Sequence, residues 1–293
     1  MEDKMRVKGF LYGILSAIFF GSSGIFIKHG YDKNFSPVDL LMLQYIIAGI
    51  ILFIYSLIKY KSNIKLTKEL YKKLFIQGAI FNTLMTVFFY SSFKYLDVAV
   101  ATILLYTYPT MVALFSFMFL REKLSKIKIF AIAGTLTGCY LVLNIHNINL
   151  NKAIIIGIIF GLLSAVFYAG VNIYAKYIVE DVPEVLVTFY STTFSLLVLL
   201  IFNFPFIFKL SSISFVSVKN AALLAVFCEI IPLTLLYAAI KYVGPVTTSI
   251  ISTIEIPSAA VLSFIFMGER LNIIQVIGII LVIICVILLK RDE

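Results

Sequence analysis

The sequence predicts an all-α polytopic membrane protein with ten transmembrane helices, arranged as two inverted repeats of five helices each. Three observations predict this fold. Of the 293 residues, 61% are hydrophobic and only 13% are charged, whereas soluble domains average roughly 45–50% apolar and about 25% charged residues. The apolar residues fall in ten runs, each near the roughly 20 residues that a helix needs to cross a bilayer. The second half of the chain also repeats the pattern of the first.

The composition excludes several other classes of protein. A soluble domain needs a polar surface, and this chain has too few polar residues to supply one. The net charge of +9 does not indicate nucleic-acid binding, because the basic residues separate the apolar runs and form no basic stripe. Cys139, Cys228 and Cys285 lie inside apolar runs without the spacing of a metal site. We therefore expect no cofactor and no nucleic-acid partner.

Each apolar run is expected to form a helix, because every backbone polar group in lipid must be paired within the segment and the runs lack the alternation of barrel strands. The first run is too long for a signal peptide and no A-x-A-like site follows it, so we expect it to be retained. The predicted segments are Gly9–Ile27, Leu40–Ile58, Leu74–Phe93, Val98–Leu120, Ile127–Leu143, Ala153–Ala175, Val185–Phe208, Ala221–Ile240, Val246–Met267 and Ile273–Leu289.

The distribution of Lys and Arg predicts the orientation of the chain. If the N-terminus is cytoplasmic, 17 basic residues lie on the cytoplasmic side and 7 on the other side. Cytoplasmic loops carry the excess of basic residues in membrane proteins. We therefore expect a multi-pass protein of the cell membrane with both termini in the cytoplasm.

The two halves of the chain, residues 1–148 and 149–293, resemble each other at an offset of 147 or 148 residues. The matching stretches are GILSAIFFGSSGIFIK with GLLSAVFYAGVNIYAK, FKYLDVAVATILLYTYP with IKYVGPVTTSIISTIEIP, and FMFLREKL with FIFMGERL. Five helices is an odd number, so the second copy must be inverted relative to the first. The loops agree, since those after segments 2 and 4 carry ten basic residues and their counterparts carry three. Inverted repeats are typical of transporters that bind substrate at the repeat interface.

Two glutamates fall near the middle of predicted helices, Glu229 in the eighth and Glu255 in the ninth. A charged residue at a helix centre costs about 2.5–3.5 kcal/mol on insertion scales, so such residues normally face the bundle interior or a cavity. The repeat relates Glu229 to Asn82 and Glu255 to Thr107. Both positions are therefore polar in each half, while the charge is present in only one.

Polar and small residues recur at three- and four-residue steps in the third, sixth and ninth segments, and this spacing lines one face of a helix. We therefore predict a shared polar cavity. Its glutamates would hold a substrate ammonium group or a coupling proton, or would be structural. Its tyrosines would orient a ligand, or would belong to the interfacial belts of a chain without Trp. The predicted substrate-binding residues are Glu229, Glu255, Asn82, Tyr90, Tyr106, Tyr168, Asn172 and Ser252.

The sequence resembles the drug/metabolite transporter superfamily, in its ten-helix branch with two EamA domains. The resemblance rests on FFGSSGIFIK, which ends at Lys28, on Pro109 and Pro257 within the fourth and ninth segments, and on the matching endings REKL and GERL. It implies that residues 1–148 and 149–293 are two EamA-type repeats of one membrane domain. It also implies secondary transport of small metabolites without ATP, often the export of amino acids.

We therefore expect a secondary-active transporter that exports an amino acid or a related amine, with a small-molecule substrate, a coupled proton and the lipid bilayer as its partners. Import of a vitamin, nucleoside or other metabolite is an alternative on the same fold. A channel is a second alternative, although nothing resembles a selectivity filter. An enzyme is not expected, since HExxH, P-loop and nucleophile-elbow motifs with plausible partners are missing. The sequence leaves open whether the protein is a monomer or a homodimer.

Overall fold

The computed structural model describes residues 2–23, 26, 37–60, 66–143, 152–210, 213–268 and 270–290, and this part of the chain contains helices and no strand. The helices are α1 Glu2–Gly21, α2 Pro37–Tyr60, α3 Lys68–Phe75, α4 Thr83–Ser92, α5 Val98–Leu105, α6 Tyr108–Phe115, α7 Lys126–Leu143, α8 Lys152–Lys176, α9 Glu184–Phe202, α10 Phe206–Lys209, α11 Phe215–Ala225, α12 Ile231–Ser252, α13 Glu255–Met267 and α14 Ile273–Lys290. Three π-helical turns continue α3, α6 and α11, at Ile76–Asn82, Ser116–Leu120 and Val226–Ile230.

The chain is a polytopic α-helical membrane protein. Eight helical stretches of its described part are long and apolar enough to cross a membrane. The predicted number of ten stays a prediction, because α1 and α13 are not among the eight. The first turns of α1 carry charged residues, and α13 has only 13 residues.

One of the eight stretches, Phe215–Ser252, is 38 residues long, about twice the length that a bilayer requires. It is divided at Gly244, where the backbone turns away from helical geometry with φ 77° and ψ 167°. A positive φ is readily available only to glycine, and the following Pro245 has no N–H group to continue the helix. The predicted eighth and ninth helices therefore meet at this break.

The predicted fourth and ninth segments are each interrupted near a proline. Residues Tyr106 and Thr107 form a turn between α5 and α6, two residues before Pro109. A turn at Thr253 and Ile254 likewise separates α12 from α13. A proline removes one backbone hydrogen bond and clashes with the carbonyl group four residues earlier, so a helix ends there readily. The sequence locates both prolines, and the structure shows a break at each of them.

Helix α1 of the first half packs against the second half through glycines. A Cβ atom on Gly9 would lie 2.7 Å from Val243 Cγ1, and one on Gly13 would lie 3.0 Å from Ile251 Cγ2. The two helices therefore approach as closely as their backbones allow. A side chain at either position would have to displace its neighbour.

The repeat-related contacts are made by α8, the first helix of the second half, which packs against the first half through its own glycines. A Cβ atom on Gly157 would lie 2.6 Å from Leu96 Cγ, and one on Gly161 would lie 2.7 Å from Leu104 Cδ1. These two glycines lie 148 residues after the two glycines of α1. The two leucines likewise lie 147 residues before Val243 and Ile251, which the glycines of α1 contact. Each half therefore offers the same face of its first helix to the same face of the other half.

The second helices of the two halves, α2 and α9, pack antiparallel. At one end, Asp39 Oδ1 accepts a hydrogen bond of 3.0 Å from Asn203 Nδ2. At the other end, the rings of Phe53 and Phe189 lie 6.2 Å apart. The residue numbers run in opposite directions along this contact, so the two helices point in opposite directions.

The fifth helices, α7 and α14, are also antiparallel and pack through small residues. Gly134 faces Cys285, and a Cβ atom on Gly138 would lie 2.6 Å from Val282 Cγ2 and 2.9 Å from the carbonyl oxygen of Gly278. Small residues at such positions allow close backbone approach in membranes, where van der Waals packing holds helices together.

We expect Gly138→Ala to destabilise the protein, by about 1–3 kcal/mol, because the new Cβ atom would overlap both Val282 and Gly278. Gly49→Ala is the matched control, since the nearest atom to its Cβ, Thr193 Oγ1, is 3.8 Å away. Thermal unfolding of the purified protein in detergent measures the difference. Equal melting temperatures for the two variants would contradict the close packing of α7 on α14.

Candidate functional site

A cavity of about 730 Å³ lies between the two halves of the chain. Leu224 of α11 and five residues of α13 line this cavity. Around them, α1, α4 and α7 contribute their C-terminal ends, and α2, α5 and α14 contribute their N-terminal ends. All of these helix ends lie on the side of the bundle where α1 ends. We call this the open side. At its rim Val98 is 61% exposed, whereas Tyr106 at the floor is 4% exposed.

The cavity wall is mainly apolar, with a few polar groups. Its larger aromatic and aliphatic residues are Phe20, Leu40, Leu41, Phe89, Phe93, Leu105 and Ile256, and its polar residues are Ser23, Gln44, Tyr90, Thr102, Tyr106, Glu255, Ser263, Arg270 and Gln275. This composition is typical of small-molecule sites, where apolar walls supply contact area and few polar groups fix orientation. Glu255 is the acidic residue of this lining.

The opposite side of the bundle, the closed side, is filled with packed side chains. Leu74, Ile178, Leu236 and Ile240 belong to one apolar cluster there and are at most 1% exposed. Ion pairs surround the cluster, at 2.8 Å both between Lys241 Nζ and Glu184 Oε1 and between Lys176 Nζ and Glu180 Oε1. The hydrogen bond and charge of the Lys176 ammonium group lower the pKa of the exposed Glu180 carboxyl group.

Glu255 lies at the floor of the cavity because of the break before α13. It occupies the first turn of α13, directly after the turn at Thr253 and Ile254. The positive end of the helix dipole favours a carboxylate at that position. The Tyr106 hydroxyl group, from the matching turn of the first half, lies beside the Glu255 carboxyl group and interacts with it. The two helix breaks therefore place the Tyr106 hydroxyl group and the Glu255 carboxyl group together at the floor of the cavity.

Two further tyrosines lie beside this pair. The ring centroid of Tyr108 is 6.0 Å from that of Tyr106 and 4.3 Å from that of Tyr168. The Tyr108 hydroxyl group donates a hydrogen bond of 3.2 Å to the backbone carbonyl of Ser249. These rings support the floor of the cavity from the closed side.

Glu229 lies behind the cavity wall in a different setting. It belongs to the π-helical turn Val226–Ile230 and is 6% exposed. Thr192 Oγ1 donates a hydrogen bond of 2.8 Å to Glu229 Oε1, and Gln44 Nε2 donates a longer one of 3.5 Å to Oε2. Glu229 does not line the cavity, but Gln44 does.

Asn82 occupies the equivalent place in the first half. It ends the π-helical turn Ile76–Asn82 and lies 147 residues before Glu229. π-helical turns occur frequently at functional sites, and here two of the three carry a polar residue of the predicted site. The Tyr45 hydroxyl group lies beside Asn82 and Thr86, and it is close enough to Glu229 for the two groups to interact electrostatically. The Asn82 Nδ2 atom has no hydrogen-bond partner among the described residues.

The structure separates the predicted site residues into three groups and places Asn172 apart from them. Glu255, Tyr90 and Tyr106 line the cavity. Glu229 and Asn82 lie in the buried polar cluster behind it, and Tyr168 and Ser252 lie beside Tyr108 on its closed side. Asn172 is fully buried, and its Nδ2 atom donates a hydrogen bond of 2.9 Å to the carbonyl oxygen of Tyr168 on the same helix. Lys28 lies outside the described residues.

Four residues of this region were not among the predicted site residues: Gln44, Tyr45, Thr192 and Arg270. A signal for Thr192 was present, since Thr188, Ser191, Thr192 and Ser195 recur at three- and four-residue steps and are all fully buried on α9. Gln44 was visible as an amide inside the apolar run of α2. Arg270 was counted among the loop charges, and no pattern in the flanking sequence predicted that it would line the cavity rim.

No ion pair of the described part of the chain includes Glu229 or Glu255. Their carboxyl groups are instead partnered by hydroxyl groups and an amide. Within the same residues, no group of three or more His, Cys, Asp and Glu side chains converges to hold a metal ion. The arrangement can therefore accept hydrogen bonds from a cationic ligand at Glu255 and hold a proton at either carboxyl group.

Comparison with known proteins agrees with this architecture. The EamA-like transporter family matches residues 7–144 and again residues 155–291. "Uncharacterized transporter YcbK" of Bacillus subtilis is 27% identical over 94% of this chain and 92% of its own length. An uncharacterized transporter of Clostridium kluyveri is 26% identical, with coverage of 94% and 91%. A solved crystal structure shares the fold with a TM-score of 0.78 at 14% identity, and the match covers 97% of this chain and 98% of that one.

Proposed function

Since the chain belongs to the EamA-like transporter family, and is therefore a membrane transporter, we propose that it exports a small amine-bearing metabolite by secondary-active, alternating-access transport. The substrate would be an amino acid or a related amine. One observation carries the proposal: Glu255 lies without a cation partner among the described residues, at the floor of a cavity that is open on one side only.

The chemistry of the cavity supports an amine with an apolar body. The Glu255 carboxylate accepts hydrogen bonds and provides the negative charge that an ammonium group requires. Phe89 and Phe93 offer apolar surface and the negative faces of aromatic rings, which also attract cations. A cavity of about 730 Å³ falls within the ~300–1,000 Å³ that small-molecule sites occupy.

The packing of the two halves supports alternating access through inverted repeats. The glycine contacts of α1 and α8 are reciprocal, and the pairs α2 with α9 and α7 with α14 are antiparallel. If equivalent helices point in opposite directions, exchanging the conformations of the halves closes the open side and opens the closed side. The substrate would remain near the midplane throughout.

Export is proposed from the family resemblance, and the loop charges give the proposed orientation of the cavity. The excess of Lys and Arg assigns the side of the bundle where α1 begins to the cytoplasm of a cell membrane. The open side then faces outward, and the conformation described here is the one that releases an exported substrate.

Counterflow into liposomes tests the proposed function. Vesicles that contain the purified full chain are loaded with unlabelled isoamylamine and diluted into a trace of the labelled amine; leucine is tested in the same way. We expect transient accumulation of label that saturates with concentration, because a carrier exchanges one bound substrate for another. Accumulation no greater than in protein-free vesicles for both compounds would refute transport of this substrate class. A flux that neither saturates nor overshoots would indicate a channel.

A further inference from the structure

Gln44 has an unusual position, because it contacts both the cavity and the buried carboxyl group behind it. The residue lines the cavity near its floor. Its Nε2 atom donates to Glu229 Oε2 at 3.5 Å across a separation of 185 residues. The carbonyl oxygen of the same amide makes no hydrogen bond to the described residues. One side chain therefore stands between Glu229 and any ligand in the cavity.

An amide responds to the protonation state of its neighbour. A carboxylate only accepts hydrogen bonds, so an ionised Glu229 pairs with the NH₂ end of Gln44, which is the arrangement of the 3.5 Å contact between Nε2 and Oε2. A protonated carboxyl group carries one O–H donor, which is satisfied when the amide turns its carbonyl oxygen toward it. The opposite end of the amide then faces the cavity in each case.

We propose that Glu229 is a proton-binding site distinct from the substrate carboxylate Glu255, and that Gln44 relays its protonation to the cavity by turning its amide group. This inference rests on the proposed function. With Glu229 ionised, the cavity would receive the Gln44 carbonyl oxygen, which accepts a hydrogen bond from a primary ammonium group. With Glu229 protonated, the NH₂ end of Gln44 would face the cavity. An NH₂ group is a donor, so it does not accept a hydrogen bond from an ammonium group.

The consequence is competition between a proton and an ammonium ion. Binding the amine lowers the affinity of Glu229 for its proton, which leaves to solvent, and rebinding of a proton at Glu229 lowers the affinity for the amine. Competition of this sign is what exchange transport requires, since each conformational change then carries either a proton or the amine but not both.

The surroundings of Glu229 support a proton in preference to a metal ion. The groups in contact with its carboxyl oxygens, Thr192 and Gln44, both act as donors, whereas Na⁺ or Mg²⁺ would need a shell of oxygen acceptors. The titratable groups that interact with its charge are Tyr45 on α2, and Cys228 and Tyr237 on the two sides of its own helical segment. Phenol and thiol groups carry no positive charge, so they do not neutralise a Glu229 carboxylate.

Infrared difference spectroscopy of the full chain in liposomes tests the relay. The C=O band of a protonated carboxylic acid is followed from acidic to alkaline buffer, and Glu229→Gln and Glu255→Gln identify the band of each residue. We expect isoamylamine to lower the proton affinity of Glu229 about tenfold, the size expected for one hydrogen bond to a charged group. In Gln44→Leu the Glu229 band should titrate at a higher pH than in the wild type, because a donor to the carboxylate is lost, and it should no longer respond to the amine.

A second comparison needs no variant. The N,N,N-trimethyl analogue of isoamylamine carries the same charge but has no N–H donor, so it should affect Glu229 much less than isoamylamine at concentrations that change the Glu255 band equally. Equal effects of the two ions on Glu229, or an unchanged response in Gln44→Leu, would refute the relay. A change in the Glu255 band alone would refute the relay and leave the proposed function standing. If isoamylamine alters neither band, the proposed substrate class is wrong as well.

Discussion

Replacing Glu255 by glutamine is expected to weaken amine binding and slow counterflow by about 10- to 100-fold, because a hydrogen bond to a charged group contributes about 1.5–3 kcal/mol and each 1.4 kcal/mol is a factor of ten. Glutamine keeps the size and one carbonyl oxygen of the side chain but removes its negative charge. The Tyr106 hydroxyl group retains an acceptor, so the fold of the cavity floor should persist. Isoamylamine counterflow in liposomes measures the loss.

Two variants control this measurement. Glu122→Gln makes the same chemical change in an ion pair away from the cavity, where Glu122 Oε1 lies 3.0 Å from Lys128 Nζ, and should transport at the wild-type rate. Glu255→Asp keeps the charge and should retain part of the activity. Transport by Glu255→Gln at the rate of Glu122→Gln would remove Glu255 from substrate binding.

The second large effect is expected from a pair of cysteine substitutions at repeat-related serines. Ser263 on α13 lines the cavity, whereas Ser116, 147 residues earlier, is fully buried and its Oγ atom has no hydrogen-bond partner in the described part of the chain. We expect a membrane-impermeant thiol reagent to modify Ser263→Cys roughly 10- to 1000-fold faster than Ser116→Cys, since the opposite conformation of a two-state protein is typically populated at about 0.1–10%. Labelling rates of inside-out and right-side-out vesicles measure this.

Background labelling of the native cysteines should be slow, because Cys139, Cys228 and Cys285 are all buried. The unmodified chain is the control and should label slowly. A transported amine should accelerate the labelling of Ser116→Cys from the closed side, because exchange exposes that side in turn. Equal labelling of the two serine positions from one face of the membrane would contradict a cavity that is open on one side.

The membrane-spanning character of the chain could be predicted from local composition, because the cost of exposing polar groups to lipid applies residue by residue. The fourth and ninth segments were predicted as continuous helices through Pro109 and Pro257, and the structure instead shows a break a few residues before each proline. The interval predicted between the eighth segment, which ends at Ile240, and the ninth, which begins at Val246, contains the break at Gly244. A glycine followed by a proline signals a turn, and Gly244 and Pro245 stand between these two segments.

Sequence alone determined that Glu229 and Glu255 lie within apolar helices, because the energetic penalty for burying a charge is a property of the surrounding ten or twenty residues. Only the tertiary structure decided that Glu255 faces the cavity while Glu229 lies behind Gln44. That distinction depends on side chains from helices far apart in the chain, with 185 residues between Gln44 and Glu229. Periodicity defines one face of each helix, but the rotation of one helix against another follows from how closely their small residues let them pack.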